Sequence, residues 1–266
     1  MKGPLKGPLK GTLKGQLKGR LAAKVALVTG AGSGFGAGIA HKFASEGARV
    51  VVADIREDAA ESVADSLPGE SIALSVDVSD DEAVARMIDQ AVRRFGCLDI
   101  LVNNAGVPAP PQDLETVDEA AFDHLLAVNV RSIYLSARHT VPLMKSQGKG
   151  VILNMASTAA VSPRPGLTWY NASKGWVITA TRSMAAELAP WGIRVNALNP
   201  VAGETPMLQT FMGGESPEMR QKFLSGIPLG RFSTPEDLGN AACFLCSNEA
   251  TMITGVALEV DGGRCI

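Results

Sequence analysis

Tyr170 and Lys174 are the two residues whose types and spacing could do chemistry, and Ser157 precedes them. If the chain is helical from Thr168 onward, Tyr170 and Lys174 lie one turn apart on the same face. A phenol has an ordinary pKa of about 10, and a nearby ammonium favours the phenolate and lowers that pKa. With the Ser157 hydroxyl holding an alcohol or carbonyl oxygen, the three side chains could transfer a proton while a hydride moves elsewhere. The same spacing also occurs by chance in ordinary helices, so the pair requires support from the rest of the chain.

A glycine-rich stretch, Thr29–Gly38, lies between the first apolar segment and a predicted helix. Glycines there let the backbone turn tightly and let a pyrophosphate approach the helix N-terminus, where unpaired N–H groups favour anions. A strand before the glycines and a helix after them are the context that dinucleotide binding requires. The predicted cofactor-binding loop includes Gly30, Ser33, Gly34, Phe35 and Gly36.

The end of the second predicted strand carries Asp54, at the distance from the glycine loop that suits a ribose contact. A carboxylate there accepts hydrogen bonds from ribose hydroxyls and repels a 2′-phosphate, so Asp54 and the neighbouring Ile55 predict NAD rather than NADP. Arg56 is a basic neighbour and favours the opposite choice. Asp77 and Val78 follow the third strand and are predicted at the adenine edge, although Asp77 equally suits a loop N-cap.

Continuous apolar segments alternate with amphipathic ones along residues 22–266. The predicted strands are Lys24–Thr29, Arg49–Ala53, Ser71–Val76, Leu98–Val102, Val151–Met155, Ile193–Leu198 and Val256–Val260. The predicted helices are Gly36–Glu46, Glu57–Ser66, Asp80–Phe95, Glu119–Ser146, Thr168–Leu188 and Pro235–Ser247. Such alternation indicates an α/β fold with a parallel sheet covered on both faces, and nothing suggests a second domain.

Residues 1–21 repeat Lys-Gly-x-Leu with a period of four and contain no acidic residue. Regular glycines and two prolines oppose a stable helix. We interpret this low-complexity basic tail as a flexible extension or a start-site artefact, and contact with an anionic membrane or partner is the alternative.

The length and composition exclude several classes of protein. A chain of 266 residues with 46% hydrophobic residues fits one α/β domain, and no apolar run is long enough to span a bilayer, so we expect a cytoplasmic protein. The four cysteines are expected to be reduced, and neither they nor the three histidines suggest a metal site. The net charge is −2, and because the tail carries six cations the remainder is about −8, which argues against nucleic-acid binding.

Jointly, the motifs resemble those of the classical short-chain dehydrogenases/reductases over essentially all of residues 22–266. The resemblance rests on T-G-x-x-x-G-x-G at Thr29–Gly36, N-N-A-G at Asn103–Gly106, Asn129, Ser157, Tyr170, Lys174, Asn199-Pro200 and the terminal Asp261-Gly262-Gly263. It implies a Rossmann-like, doubly wound parallel seven-stranded sheet with helices on both faces, in a single NAD(P)-binding domain. It also implies a homotetramer that packs the long helix and the Tyr170 helix against their copies.

The resemblance further implies a role for each matched position. Tyr170 would be the acid/base, and Ser157 would orient the substrate oxygen. Lys174 would hold the nicotinamide ribose and lower the pKa of Tyr170, and Asn129 would hold a water in a proton relay. Beyond the glycine loop, the implied cofactor-binding residues are Asn104, Ala105, Gly106, Pro200, Gly203 and Thr205, together with Tyr170 and Lys174.

The segment Pro200–Pro206 departs from the family pattern. The family commonly has a glycine directly after the proline, whereas here the glycine stands two places later, at Gly203. Thr205, which the resemblance places against the nicotinamide carboxamide, is retained. We therefore expect the floor of the pocket to differ from that of the family.

The predicted substrate pocket is mostly apolar. Its expected contacts are Ser157, Ala159, Tyr170, Met207 and Phe211, which suit a hydrophobic or mixed alcohol or ketone. Arg164, between two prolines, is interpreted as a surface residue, and binding of a substrate carboxylate is the alternative.

These observations predict an NAD-dependent oxidoreductase that interconverts a secondary alcohol and a ketone. An NADPH-linked reductase of ketones or 3-oxoacyl thioesters is the first alternative. A nucleotide-binding regulatory protein without catalysis is the second, but such a protein need not keep Ser157, Tyr170 and Lys174 together.

Overall fold

A seven-stranded parallel sheet forms the centre of the protein, in a computed structural model that describes residues 19–214 and 216–266. The strands are β1 Val25–Thr29, β2 Arg49–Asp54, β3 Ser71–Ser75, β4 Ile100–Asn103, β5 Gly150–Met155, β6 Ile193–Pro200 and β7 Ala257–Val260. The helices are α1 Gly34–Ser45, α2 Glu57–Ser66, α3 Asp81–Phe95, α4 Glu119–Leu126, α5 Ser132–Gln147, α6 Thr168–Leu188, α7 Leu208–Met212, α8 Pro217–Leu224 and α9 Pro235–Cys246. The predicted Rossmann-like fold class is confirmed.

The strand order β3-β2-β1-β4-β5-β6-β7 places β1 and β4 side by side at the centre of the sheet. Successive connections leave these two strands in opposite directions, which opens a crevice at their carboxyl ends. All six strand pairs are parallel, so every strand delivers its carboxyl end to the same edge. The loops that carry the candidate site follow these strand ends.

Alternating strand side chains build two separate apolar cores, one on each face of the sheet. Val28, Val50 and Val102 face α1 and α9, where Phe43 is fully buried. Leu27, Val51 and Leu101 belong to the other core, which includes side chains from α3, α5 and α6. A sheet buried on both faces requires strands with continuous apolar runs, and Val25–Val28 in β1 and Val50–Ala53 in β2 are such runs.

The predicted continuous helix over Glu119–Ser146 differs from the structure in one respect. A π-helical turn, Ala127–Arg131, separates α4 from α5. Asn129 lies in this turn and is 1% exposed. A single π-helical turn inserts one extra residue and locally re-aims the side chains, which a regular 3.6-residue pattern does not predict.

The predicted tail falls mostly outside the described residues, which begin at Gly19. Residues 19–21, which the repeat pattern predicts as part of the tail, pack against the domain instead. Leu21 is fully buried, its N–H donates to the Glu46 carbonyl at 3.0 Å, and Arg20 forms an ion pair with Glu249. Over the described ranges, no helix has the length and apolar character needed to cross a membrane.

Candidate active site

The glycine loop connects β1 to α1 and closes tightly on its neighbours. A Cβ on Gly36 would lie 2.2 Å from the Gly30 carbonyl oxygen, and a Cβ on Gly32 would lie 2.9 Å from a carboxylate oxygen of Asp54. A residue with a side chain at Gly32 or Gly36 would therefore collide with neighbouring atoms. The N-cap residue Ser33 makes no side-chain capping bond, and the first turn of α1 has no acidic residue. The positive end of α1 is thus available to an anionic group.

Asp54 ends β2 and is held by the backbone. Its Oδ2 accepts from the Gly32 N–H at 2.9 Å, and its Oδ1 accepts from the Arg56 N–H at 3.1 Å. The Arg56 guanidinium lies 3.7 Å from Asp54 Oδ1 and donates to Ser33 Oγ at 3.3 Å. A carboxylate has about four acceptor positions, so Asp54 keeps capacity for further donors. The structure therefore places Asp54, which is predicted to favour NAD, beside Arg56, which is predicted to favour NADP.

The polar residues after β4 hold the glycine loop in place. Asn104 donates through Nδ2 to the carbonyls of Thr29 and Gly30 at 2.9 and 3.0 Å. The Thr29 hydroxyl accepts from the backbone N–H groups of Asn104 and Ala105, both at 3.1 Å. Asp77 Oδ1 accepts hydrogen bonds from the N–H and the hydroxyl of Ser79, which is the kind of loop capping given as the alternative for Asp77. These contacts make the crevice a rigid feature of the sheet edge.

Tyr170 and Ser157 both line the cavity and come from different elements. Ser157 follows β5 and accepts the Ala159 N–H at 3.1 Å, and Tyr170 lies in the first turn of α6 with Phe211 packed edge-on at 5.1 Å. Burial raises the pKa of Tyr170 to about 12, and a hydrogen bond with Ser157 acts in the opposite direction. The expectation of a lowered pKa for Tyr170 is therefore wrong for this site as described, because removal from water disfavours the phenolate more than the neighbours favour it.

Lys174 lies one turn after Tyr170, as the predicted helix requires. Its ammonium donates to the Met155 carbonyl at 2.9 Å and lies 5.9 Å from the centre of the Tyr170 ring. Burial lowers the pKa of Lys174 to about 8. Lys174 is thus a buried cation that gives up its proton more readily than an exposed lysine.

The side chain of Asn129 holds the loop that follows β4 through two hydrogen bonds to Val107. Its Oδ1 accepts from the Val107 N–H at 2.8 Å, and its Nδ2 donates to the Val107 carbonyl at 3.0 Å. Gly106 separates Asn129 from Lys174, because a Cβ on Gly106 would lie 3.1 Å from Asn129 Oδ1 and 3.6 Å from Lys174 Nζ. The structure therefore brings Asn129 close to Lys174, with its amide engaged by backbone.

The segment after β6 departs from the family pattern in the position of its glycine, and the packing around Gly203 explains why a glycine is needed there. Gly203 pairs with Ser233 in an isolated parallel bridge, and a Cβ on Gly203 would lie 2.1 Å from the Phe35 ring. Thr205 lies against Gly34, with its Cγ2 at 3.2 Å from the position of a Cβ there. The glycine thus stands where this segment crosses the glycine loop.

Residues 201–214 and 216–232, here called the lid, contribute to the cavity wall and have their own apolar cluster. Val201, Leu208, Met212, Ile227 and Phe232 are its buried members. The lid is joined internally by an ion pair between Arg220 and Glu204. Met207 and Phe211 of the lid line the cavity, as predicted.

One cavity of about 610 Å³ connects the glycine loop to the Ser157–Tyr170 pair. The structure places every predicted cofactor and substrate residue on its wall: Gly30, Ser33, Gly34, Phe35, Gly36, Asp54, Ile55, Asp77, Val78, Asn104, Ala105, Gly106, Ser157, Ala159, Tyr170, Lys174, Pro200, Gly203, Thr205, Met207 and Phe211. Asn129 stands behind this wall. Their location in one cavity is a structural observation, and their roles stay predictions.

The cavity wall includes Arg164, where the carboxylate-binding alternative required it, and Phe223, which the sequence did not indicate. Arg164 is half-buried and lines the cavity instead of lying on the surface, and its guanidinium lies 4.1 Å from the centre of the Phe223 ring. Phe223 comes from α8, whose distance from Arg164 along the chain hides the contact. Flanking prolines stiffen Arg164 just before Tyr170, and this was the available signal.

The residues of the crevice fit a nicotinamide dinucleotide. The tight glycine loop, the uncapped start of α1 and the Asp54 carboxylate suit a pyrophosphate and a ribose, and the remaining cavity reaches Tyr170. A dinucleotide crevice that ends at a Ser–Tyr–Lys set defines a nicotinamide-dependent oxidoreductase.

Comparison with known proteins supports this class. A family model described as "Enoyl-(Acyl carrier protein) reductase" matches residues 30–264. The 4-formylbenzenesulfonate dehydrogenase TsaC1/TsaC2 of Comamonas testosteroni is 45% identical over 83% of this chain and 89% of its own length.

Solved structures agree. A 3-ketoacyl-(acyl-carrier-protein) reductase from Brucella melitensis complexed with NADH is 52% identical, with a TM-score of 0.89 over 92% of this chain and 100% of that one. A 7α-hydroxysteroid dehydrogenase complexed with NADH and 7-oxo glycochenodeoxycholic acid is 38% identical, with a TM-score of 0.87 over 92% of this chain and 95% of that one. The chain belongs to the short-chain dehydrogenase/reductase family and is an oxidoreductase of alcohols and ketones that uses a nicotinamide cofactor.

Proposed function

We propose that this protein is an NAD-dependent dehydrogenase in which Tyr170 is the acid/base for a secondary alcohol and its ketone. The observation that carries the proposal is the convergence of Ser157, Tyr170 and Lys174 on the cavity that begins at the glycine loop. The nicotinamide, when bound, supplies the hydride chemistry. The protein's own residues position the substrate and move the proton.

Each side chain then has a defined task. Ser157 donates a hydrogen bond to the substrate oxygen and holds it beside the phenol. Tyr170 gives its proton to the ketone oxygen during reduction and takes the hydroxyl proton during oxidation. Lys174 lies one turn away as an ammonium, where it favours the phenolate when Tyr170 has lost its proton. The Asn129–Val107 pair fixes the wall behind Lys174.

The test is Tyr170→Phe, which removes only the hydroxyl. We expect kcat to fall by about 10²–10⁴-fold, because general acid–base catalysis contributes that much. NADH affinity, measured by fluorescence titration, should stay within about threefold because the ring and its packing remain. Tyr134 is the chain's only other tyrosine and is exposed on α5, so Tyr134→Phe is the matched control. Near-normal turnover of Tyr170→Phe would refute the proposed acid/base.

The preference for NAD is proposed on the position of Asp54 in the crevice. Its carboxylate is fixed by the Gly32 N–H and would repel a 2′-phosphate. We expect kcat/KM for NAD to exceed that for NADP by about 10-fold or more, and Asp54→Asn to reduce the ratio by about 10-fold. A ratio unchanged by Asp54→Asn would contradict this assignment.

An NADPH-linked reductase of ketones or 3-oxoacyl thioesters is the second candidate. The observation that favours it is the Arg56 guanidinium, which lies against both Asp54 and Ser33. If this candidate is right, wild type prefers NADPH and Arg56→Gln lowers its kcat/KM while sparing NADH.

We also propose a homotetramer built on α5 and α6. Tyr134 on α5 and Trp176 on α6 are 54% and 41% exposed in the single chain, which is unusual for large aromatic side chains. Light scattering after gel filtration should give four times the mass of the chain. A monomer at micromolar concentration would refute the proposal.

A further inference from the structure

Arg164 places a positive charge on an otherwise mostly apolar part of the cavity wall. It belongs to the segment between β5 and α6, and its guanidinium stacks against the Phe223 ring at 4.1 Å. Both residues line the same cavity as Tyr170. Contact with an aromatic ring leaves the N–H donors of a guanidinium able to bind a ligand.

The backbone around Arg164 is fixed relative to Tyr170. Asn171, the residue after Tyr170, donates through Nδ2 to the Arg164 carbonyl at 2.9 Å. Pro163 and Pro165 restrict the chain on either side. The segment therefore holds the cation at a defined place with respect to Tyr170.

No carboxylate in the described parts of the chain neutralises Arg164. The arginines that form ion pairs there are other ones, and the charged group that shifts the pKa of Arg164 is a second cation, Arg264. Arg264 donates to Ser162 Oγ at 2.7 Å, and Ser162 also lines the cavity. Burial lowers the pKa of Arg164 and the Arg264 charge lowers it further, yet a guanidinium stays protonated in proteins.

A half-buried charge without a partner is unfavourable, because it has lost part of its hydration. The cost persists only if something offsets it. An anion in the cavity offsets it by forming charge-assisted hydrogen bonds with the planar fork of the guanidinium. The apolar faces of Phe211 and Phe223 suit the hydrophobic body of the same molecule.

We propose that the substrate carries a carboxylate or sulfonate group away from its reacting carbon, and that Arg164 binds this group. The inference rests on the proposed function of the cavity as an alcohol–ketone site. The expected substrate class is a hydrophobic or aromatic alcohol or ketone with one acidic group.

The test compares ketones that differ only in charge. We measure kcat/KM for reduction of 4-acetylbenzoate, 4-acetylbenzenesulfonate and the neutral 4-acetylbenzamide with NADH and with NADPH. Wild type should prefer at least one of the anions over the amide by about 10-fold or more. Arg164→Gln should lower kcat/KM for that anion by about 10- to 100-fold and leave the amide within about twofold, and Arg164→Lys should recover part of the loss.

Arg86→Gln is the matched control, because Arg86 lies on α3 with a side chain that is 62% exposed and outside the cavity. Its kinetics should equal those of wild type with every ketone. Equal use of anions and amide by wild type, or an equal loss for both in Arg164→Gln, would overturn the inference.

A binding measurement distinguishes failure of the anion site at Arg164 from failure of the proposed reaction. Calorimetric titration of the same three ketones into the NAD-loaded protein should show an anion bound about 10-fold more weakly by Arg164→Gln than by wild type. If that difference appears but no ketone is reduced, the anion site stands and the proposed reaction fails. If binding of the anions matches that of the amide and is unaffected by Arg164→Gln, the anion site is refuted.

Discussion

Replacing Gly203 by alanine would push a methyl group into the Phe35 ring. The added Cβ would lie 2.1 Å from Cζ and 2.5 Å from Cε1, with the Ser233 carbonyl oxygen 3.0 Å away on another side. The segment is tied at this point, because the Glu204 N–H donates to the same Ser233 carbonyl at 2.9 Å. The ring must therefore yield. Ordinary contact begins at 3.4 Å, so the displacement is about 1.3 Å (3.4 minus 2.1).

Phe35 stands in the first turn of α1, so a shift of its ring disturbs the glycine loop, which is proposed to bind the cofactor phosphates. Overpacking of this kind costs about 1–3 kcal/mol. Since about 1.4 kcal/mol corresponds to a tenfold change in affinity, we expect Gly203→Ala to weaken NADH binding by roughly 10- to 100-fold. Fluorescence titration with NADH measures the change, and circular dichroism confirms that the fold is intact.

A double-mutant cycle with Phe35→Leu isolates the contact. The smaller side chain leaves room for the methyl group, so Gly203→Ala should cost much less in that background. Gly226→Ala is the control, because the nearest atom to its Cβ would be at 3.6 Å, and NADH affinity should not change. Unaltered NADH affinity in Gly203→Ala, or the same loss with and without Phe35, would refute the reasoning.

Three further predictions concern the site and its support. Because burial raises the pKa of Tyr170 to about 12, kcat/KM for alcohol oxidation should rise with pH by up to 10-fold per unit below pH 8, while kcat/KM for ketone reduction stays flat. Above pH 8 the Lys174 ammonium loses its proton, so the slope of the oxidation profile should decrease. A flat oxidation profile would contradict this prediction. Asp237→Asn removes the ion pair with Arg231 and weakens the capping box of α9, so the free energy of unfolding should fall by about 1–2 kcal/mol in urea titrations, and an unchanged midpoint would count against the cap. Asn154→Ala leaves the buried Asn103 Nδ2 on β4 without its acceptor and the buried Thr181 Oγ1 on α6 without its donor, so we expect a loss of about 2–4 kcal/mol by the same assay, and a loss below 1 kcal/mol would show that the network contributes little.

Much of the fold is readable because its strands are buried on both faces. The run Val50–Ala53 is continuously apolar, and across the sheet the predicted and observed strands agree within two residues at each end. The π-helical turn at Asn129 is different. Its extra residue is not marked by proline or glycine, and the surrounding pattern reads as one regular helix.

The site was predictable where spacing along the chain determines proximity. Tyr170 and Lys174 meet because a helix turn brings them together, and the glycine loop meets Asp54 because β1 and β2 are adjacent. For Arg164 the sequence left a surface position and a pocket position open, and the contact with Phe223 from a distant helix, which favours the pocket, was not predictable. The pKa of Tyr170 also depends on how deeply the phenol is buried, which spacing alone cannot provide.

The separate apolar cluster of the lid has a consequence for how this protein can change. Val201, Leu208, Met212, Ile227 and Phe232 pack on one another rather than joining either core of the sheet. Replacements on the inner surface of the lid therefore need not strain the layers that fold the domain. Laboratory evolution confined to Met207 and Phe211, which line the cavity, is therefore expected to alter which molecules are accepted while thermal tolerance is retained. Gly203 is the exception within the lid, because its contact with Phe35 ties it to the nucleotide crevice.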